Sequence, residues 1–243
     1  MISKTALTEL VKRFAWKDVA RGLDDNPKLL AHRDERGRNW LHLCCGVDVR
    51  AHKELAPADG VKLASLLLER GIDIDAPAFI EGTWRATPLW YTISRGHNLK
   101  LAEFLLKRGC DPNHSLWAAV FKDDLAAIRL LVKYKADVDP DHEEGTPFMG
   151  AISWSRFDAA KLLLDFGANV DFVDRKGMTA LHYMLGKSSD KKHFRMIVAH
   201  GARGDIANAK GVTAAEIMSR KRDPEFREMA AKLRTAKPAA ARR

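Results

Sequence analysis

Cysteines, prolines and long apolar runs are scarce in this sequence. Three of its 243 residues are cysteines, and an odd number of them argues against a disulfide framework and for a reducing compartment. No stretch approaches the roughly 18 apolar residues that a membrane span requires, and the first residues lack the apolar core of a secretory signal. Nine prolines with 46% hydrophobic residues favour a folded chain. We therefore expect a cytoplasmic protein.

The sequence also lacks the residue spacings of common catalytic sites. It contains no GxxxxGK[ST] loop to cradle phosphates, no HExxH pair for zinc hydrolysis, no GxSxG elbow for acyl transfer and no CxxC. These absences disfavour an enzyme, and we predict a non-catalytic chain with no cofactor.

The net charge of +9 is concentrated at one end of the chain. Residues 1–185 carry 26 basic and 26 acidic side chains, whereas residues 186–243 carry 15 and 6. We interpret residues 234–243 as a short basic disordered tail. The alternative is that the basic C-terminal quarter binds nucleic acid or another anionic surface.

A glycine-acidic turn recurs along the chain. Its copies are spaced by 38, 26, 32 and 34 residues, and they begin at Gly71, Gly109, Lys135 (in the glycine position), Gly167 and Gly201. A second motif, which we call the anchor, recurs at a similar spacing along the chain. It is clear at Thr87, Thr146 and Thr179 and weaker at Asn39, His114 and Thr213.

The residues of one unit predict two helices. Thr87 can accept from the first backbone N–H groups of a helix, and Pro88 suits the first helical position, where its missing donor costs nothing. The run LKLAEFLLKR at 99–108 places leucines on one stripe, and Gly109 can close that helix in a left-handed conformation. Each unit is therefore helix, turn, helix and an extended finger, and units must stack to bury their helices.

These motifs resemble the ankyrin repeat family. TPLW at 87–90, TPFM at 146–149 and TALH at 179–182 approach its T-P-L-H-x-A signature, while KADVD and GANVD approach G-A-D-V-N. The resemblance implies an all-α ankyrin-repeat solenoid of stacked helix-turn-helix units with finger loops. It places the ankyrin-repeat domain at residues 1–233. The divisions are a leading cap at about 10–33, five central units at about 34–205 and a closing partial repeat at about 206–233.

Departures from the family pattern mark the first and third units. Residues 46–62 are an insertion in the first unit, and the third loses most of its finger at residues 111–115. The signature histidine survives at His42 and His182. In the other units this position is occupied by Trp90, Trp117 and Met149. We therefore expect aromatic packing to replace part of the hydrogen-bonded link between fingers.

Two segments invite a metal-site interpretation. His42, Cys44 and Cys45 have soft donors at close spacing, but both cysteines fall where the ankyrin first helix usually has alanine, so we predict buried thiols without metal. The acidic finger DVDPDHEEG at 137–145 resembles a calcium loop, yet His142 stands where that loop needs glycine. We predict a solvated finger there.

The resemblance also implies which side chains face a partner. These are the finger tips and the exposed side of each first helix, where Trp and Arg are frequent interface hot spots. The predicted partner-binding residues are Arg36, Arg38, Trp84, Arg95, Phe121, Lys122, His142, Glu143, Trp154, Arg175, Lys176, Lys187 and Lys210, followed by Arg220 and Lys221.

We expect the two tryptophans of this set to dominate the binding energy. The alternatives are that Trp84 folds back over the finger containing Phe79 and that Trp154 covers the next helical turn. The predicted function is protein–protein interaction as an adaptor, inhibitor or scaffold. The partner would be a protein with an acidic, partly apolar segment, bound by a monomer.

Overall fold

The computed structural model describes residues 1–82, 84–140 and 145–235. Helices dominate it, which confirms the predicted all-α class. In chain order the α-helices are α1 (Lys4–Lys12), α2 (Trp16–Asp25), α3 (Trp40–Cys45), α4 (Pro57–Glu69), α5 (Pro88–Tyr91), α6 (Leu99–Lys107), α7 (Asn113–Phe121), α8 (Leu125–Lys133), α9 (Pro147–Ser153), α10 (Phe157–Asp165), α11 (Ala180–Gly186), α12 (Lys191–Ala199), α13 (Ala214–Ser219) and α14 (Pro224–Thr235).

Shorter elements complete the repeats. A 3₁₀ turn spans Pro27–Ala31, and a π-helical turn at Thr92–Gly96 extends α5. Strands β1 (Ile80–Glu81) and β2 (Trp84–Arg85) form an antiparallel hairpin in the second finger. Within the described ranges, no helix is long and apolar enough to cross a membrane.

The chain divides into two compact units. The first comprises Met1–Lys122 with Ala126–Ala136, and the second comprises Asp123–Leu125 with Asp137–Arg243. Helix pairs α1–α2 through α7–α8 build the first unit, and pairs α9–α10 through α13–α14 build the second. The leading pair begins at Lys4, upstream of the residue 10 expected for the leading cap.

The first helix of most repeats starts at its predicted anchor. Thr87 Oγ1 accepts from the N–H of Trp90 at 3.3 Å, and Thr146 Oγ1 accepts from the N–H of Met149 at 3.3 Å. Each threonine therefore satisfies a backbone donor that the helix leaves without an internal partner. The following proline occupies the first helical position in both cases.

The third repeat is the exception. Helix α7 begins at Asn113, so the weak anchor His114 lies inside the helix and does not cap it. The carboxylate of Asp111 accepts from the N–H of Asn113 at 2.9 Å. Because the finger is missing here, the helix starts almost directly after the turn that closes α6.

The second helices bury one stripe each. In α6 the buried residues are Leu101, Ala102, Leu105 and Leu106, as the sequence periodicity predicts. Gly109 follows with a φ of 87°, the left-handed conformation expected at this helix end. In the first repeat, α4 starts at Pro57, so the last residues of the predicted insertion belong to that helix.

One construction recurs in three fingers. In the first finger, Asp34 Oδ1 accepts from the N–H groups of Arg36 and Arg38, both at 2.9 Å. Gly37 completes the turn with a φ of 73°. The fifth and closing fingers repeat this arrangement with Asp174 and Gly177 and with Asn208 and Gly211.

A second set of hydrogen bonds connects neighbouring repeats. The last aspartate of the glycine-acidic turn accepts from a backbone N–H of the next repeat, which ties one finger base to the next. The bonds run from Asp111 to Asp75 at 3.1 Å, from Asn169 to Asp139 at 2.6 Å and from Arg203 to Asp171 at 2.7 Å.

Finger glycines should differ in their tolerance to alanine. A Cβ on Gly37 would lie 2.1 Å from the carbonyl oxygen of Ala78, whereas one on Gly71, with a φ of 88°, meets nothing within 4 Å. Gly71→Ala adds only left-handed strain, about 1 kcal/mol. Gly37→Ala adds a backbone clash and should cost about 3 kcal/mol or more. Urea unfolding monitored by circular dichroism measures both, and equal losses would contradict this close approach.

Candidate partner-binding site

A groove opens on the finger side of the first unit. Its volume is about 540 Å³, and it lies between the tip of the first finger, the base of the second finger and the end of the extended α5 helix. The lining residues are Glu35, Arg36, Gly37, Ala78, Phe79, Trp90, Tyr91 and Arg95. Two of these, Arg36 and Arg95, were predicted from the sequence.

Aromatic rings form one wall of this groove and its support. Phe79 meets Trp84 edge to face with ring centroids 5.0 Å apart, and Trp84 meets Trp90 in the same manner at 5.1 Å. Trp84 is half-buried by these contacts, whereas Phe79 is 47% exposed. The alternative in which Trp84 folds over the finger of Phe79 is therefore the observed arrangement, and Phe79 presents the larger free surface.

The arginines around Tyr91 differ in their environments. The Arg95 guanidinium lies 5.7 Å from the centroid of the Tyr91 ring and is exposed. Arg38 also contacts that ring, at 6.0 Å, but is half-buried and forms an ion pair with Asp34 at 2.7 Å. Arg38 thus stabilises the first finger, in contrast to the solvent-facing position that we expected. The hydrogen bonds from Arg38 hold the pKa of Asp34 below its usual value, against the opposing effect of burial.

Other predicted residues lie at helix ends and finger tips. Phe121, 46% exposed, ends α7, and Lys122 follows it. In the second unit Trp154, 38% exposed, caps the C-terminus of α9, and the exposed Lys187 donates to the carbonyl oxygen of Ser153 at that helix end. Arg175, Lys176 and Lys210 are exposed on finger tips. His142 and Glu143 lie outside the described residues.

Phe79 and Tyr91 were not among the residues predicted from the sequence. Phe79 was named only as part of the finger over which Trp84 could fold, and Tyr91 was not considered. The available signal was the length of the second finger, in which the adjacent apolar residues Phe79 and Ile80 are 47% and 57% exposed. Large apolar side chains exposed side by side are typical of contact surfaces.

Signature histidines join neighbouring fingers. His42 Nε2 contacts the carbonyl oxygen of Ala86 at 3.2 Å, and Nδ1 accepts from the N–H of Asn39 at 3.2 Å. His182 makes the equivalent contact to the carbonyl oxygen of Val212 at 3.1 Å. Both histidines are buried. His42 can satisfy both neighbours when it is neutral, with its proton on Nε2.

Burial controls the ionisation of His42. The pKa of this imidazole falls from 6.5 to about 4, mainly because burial disfavours the charged form; the carbonyl groups of Ala86 and Ala76 oppose the shift, and the cations Arg33 and Arg38 add to it. His42 is therefore neutral at physiological pH. Its ring nitrogens are engaged within the protein, which disfavours a role as a metal ligand.

The three cysteines are free and buried. Cys44 donates weakly from Sγ to the carbonyl oxygen of Gly60 at 3.5 Å. Burial raises the pKa of Cys44, and it raises the pKa of Cys45 to about 12 despite a hydrogen bond with Thr92. Burial likewise raises the pKa of Cys110. The described residues contain no group of three or more His, Cys, Asp or Glu side chains arranged to hold a metal ion.

Family models and known proteins match this chain. The model "Ankyrin repeat" matches residues 84–115 and "Ankyrin repeats (3 copies)" matches residues 115–208, together just over half of the sequence. The chain is 33% identical over 134 residues, 50% of its length, to Phosphocholine transferase AnkX of Legionella pneumophila (strain Philadelphia 1), and it covers 14% of that protein.

Solved structures with this fold cover nearly the whole chain. The ankyrin repeat domain of Bcl-3 superposes with a TM-score of 0.72 at 19% identity, covering 95% of this chain and 100% of that domain. The human ASB11 ankyrin repeat domain gives a TM-score of 0.67 at 22% identity, covering 98% and 100%. At these identities the similarity establishes the fold alone.

Acidification should destabilise the protein partly through His42. The unfolded chain takes up a proton near pH 6.5, whereas native His42 does so only near pH 4. This contribution to the free energy of unfolding is complete above about pH 7 and is lost as the pH falls, with about 2 kcal/mol lost at about pH 5. Urea unfolding of wild type and His42→Gln at both pH values checks this. The variant should lose about 2 kcal/mol less on acidification, and parallel losses would contradict the assignment.

The thiols should be unreactive in the native protein. Burial and raised pKa values leave little exposed thiolate at Cys44, Cys45 or Cys110. A colorimetric disulfide reagent should modify all three in urea and react more slowly, by about two orders of magnitude or more, without denaturant. A fast native reaction at any one of them would show that its site opens.

Proposed function

Because the chain belongs to the ankyrin repeat family, whose repeats generally serve as protein–protein interaction modules, we propose that it is a non-catalytic protein that binds another protein through its finger tips and first helices. As an adaptor, inhibitor or scaffold it would act without cofactor. The free cysteines fit a reducing compartment such as the cytoplasm.

The groove of the first unit is the main observation that supports this proposal. It combines an exposed aromatic ring, Phe79, with a half-buried one, Trp90, in a concave surface. Aromatic and arginine side chains in such surfaces are the residue types most often found at binding hot spots. Trp84 supports both rings from behind, because it packs edge to face against each of them.

The charges of the groove indicate the kind of segment that it binds. Arg36 and Arg95 contribute two guanidinium groups to the lining, and Glu35 contributes one carboxylate. A guanidinium group can donate two parallel hydrogen bonds to one carboxylate. A partner segment with an acidic side chain next to an apolar one would place its carboxylate at the arginines and its apolar group against Phe79.

Each unit carries further predicted residues of its own. They are Phe121 and Lys122 in the first unit and Trp154 and Arg175 in the second. In a binding surface the aromatic anchors contribute most of the energy, and rim charges chiefly tune association rate and salt dependence. We therefore expect Phe79 and Trp90 in the first unit, and Trp154 in the second, to contribute most of the binding free energy.

A non-catalytic role agrees with the fold, since ankyrin repeats are typically non-catalytic. The similarity to the transferase AnkX extends over 14% of that protein, so it carries no argument for transferase chemistry here.

Affinity capture from a native lysate tests the groove. The immobilised chain should retain a partner that Phe79→Ala and Arg95→Ala lose, because each substitution removes a wall of the groove. Truncating a central aromatic anchor commonly costs about 2 kcal/mol or more, roughly thirtyfold in affinity. Quantitative mass spectrometry of the retained proteins measures the loss.

Two matched variants control this experiment. Phe166→Ala removes an exposed aromatic side chain at the C-terminal cap of α10, outside the groove lining, and Arg129→Ala removes an exposed cation on α8. Both should retain the partner. If all four variants retain the same proteins as wild type, the groove is not the binding site.

A further inference from the structure

The tips of the fifth and closing fingers lie side by side in the second unit. The N–H of Ala209 donates to the carbonyl oxygen of Lys176 at 3.3 Å, and a Cβ on Gly177 would lie 2.7 Å from the nitrogen of Ala209. The two turns have the same internal hydrogen bonds, so Lys176 and Lys210 occupy equivalent positions on adjacent tips. Both side chains are exposed.

The acidic side chains that follow residue 186 are engaged within the second unit. All six acidic residues between 186 and 243 have partners within the second unit, as caps or in ion pairs. They are Asp190 with the N–H of Lys192, Asp205 with Arg203, Glu216 with the N–H of Thr213, Asp223 with Lys191, Glu225 with Lys191 and Arg195, and Glu228 with Lys232.

The fifth finger's own acid is also engaged. Asp174 accepts from the N–H groups of Lys176 and Met178 and from the hydroxyl of Tyr183, which raises the pKa of that tyrosine to about 12. Neither Lys176 nor Lys210 forms an ion pair within the described part of the chain. Within the described residues of these two fingers, their ammonium groups are therefore not neutralised by a carboxylate.

Further cations lie at the end of a first helix in the same unit. Arg220 caps α13, and Lys221 follows it; both are exposed. Cations near a helix C-terminus interact favourably with the helix dipole, so these two charges stabilise the end of α13. Val173, 42% exposed, adds an apolar contact at the base of the fifth finger.

We propose that the finger tips bearing Lys176 and Lys210 form a second site, which binds an extended acidic segment of a partner protein. This site rests on the proposed protein-binding function and refines it, but it does not require the groove of the first unit. Exposed cations on adjacent tips suit carboxylates spaced along an extended chain.

The side chains favour an acidic peptide over nucleic acid. Single-stranded nucleic acid binds proteins largely by stacking bases on aromatic rings. Of the aromatic residues in the fifth and closing fingers and their first helices, Phe172 and Tyr183 are half-buried, and Tyr183 is held by Asp174. The cations at the tips are lysines, which act as point charges without the planar fork of arginine.

Fluorescence anisotropy with a labelled peptide tests the proposal. The probe is a peptide of about 12 residues with glutamate at alternate positions and serine or valine between, at about 50 mM salt. Lys176→Glu/Lys210→Glu should weaken its binding by about tenfold or more. Lys176→Ala/Lys210→Ala should produce a smaller loss in the same direction, which covers the case that the reversed charges impair folding.

A charge-matched variant is the control. Lys192→Glu/Arg227→Glu changes the net charge equally at exposed positions on α12 and α14, and it should bind within about twofold of wild type.

The proposal is overturned by equal losses in both charge-reversal variants or by no difference between the glutamate peptide and its glutamine counterpart. Tighter binding of a random-sequence oligonucleotide, with the same sensitivity to the tip variants, would assign the site to nucleic acid instead. The groove variants Phe79→Ala and Arg95→Ala should leave peptide binding unchanged, so this test and that of the groove fail separately.

Discussion

Hydrogen bonds from the side chains of one repeat to the backbone of the next hold each unit together. The first helices are as short as four residues, and helices of that length have no stability of their own in water. Their burial against neighbouring repeats supplies it, and the position of each neighbour is set by contacts such as that of His42 with Ala86. Since both partners are buried, an unmade bond would leave a polar group without water.

The fingers owe their defined positions to these links. Asp171 binds the backbone of Arg203 at the base of the closing finger, and His182 binds Val212 near the end of it. Within the finger, Asn208 holds the turn. A loop fixed at its base, tip and end presents its outer side chains in one conformation, which reduces the entropy lost on binding.

The two units present different chemistry on the same scaffold. In the first unit the finger side carries aromatic rings and arginines around a groove. In the second, equivalent turn positions carry Lys176 and Lys210, and the acidic side chains that follow residue 186 have partners within that unit. The third repeat lacks a finger, and Trp90, which occupies the signature histidine position before it, packs against Trp84 of its own finger. The aromatic cluster of Trp84 and Trp90 thus lies in the repeat that precedes the missing finger.

Local sequence determined the repeats and their helix starts. Threonine followed by proline, glycine after a leucine stripe and histidine three residues after a cap act within a few residues of the chain, so their spacing predicts them directly. The same reasoning located Arg36 and Arg95 of the groove, because position in a repeat decides which side chains lie at a finger tip.

Tertiary structure alone decided how exposed each candidate is. Trp84 and Phe79 are both large and apolar, and only the packing of Trp90 decides that Trp84 is covered while Phe79 is left exposed. Arg38 was predicted to face a partner but pairs with Asp34, since the first finger folds the two together. Exposure and pairing depend on which groups the fold brings into contact, and that information is not contained in the spacing of residues along one repeat.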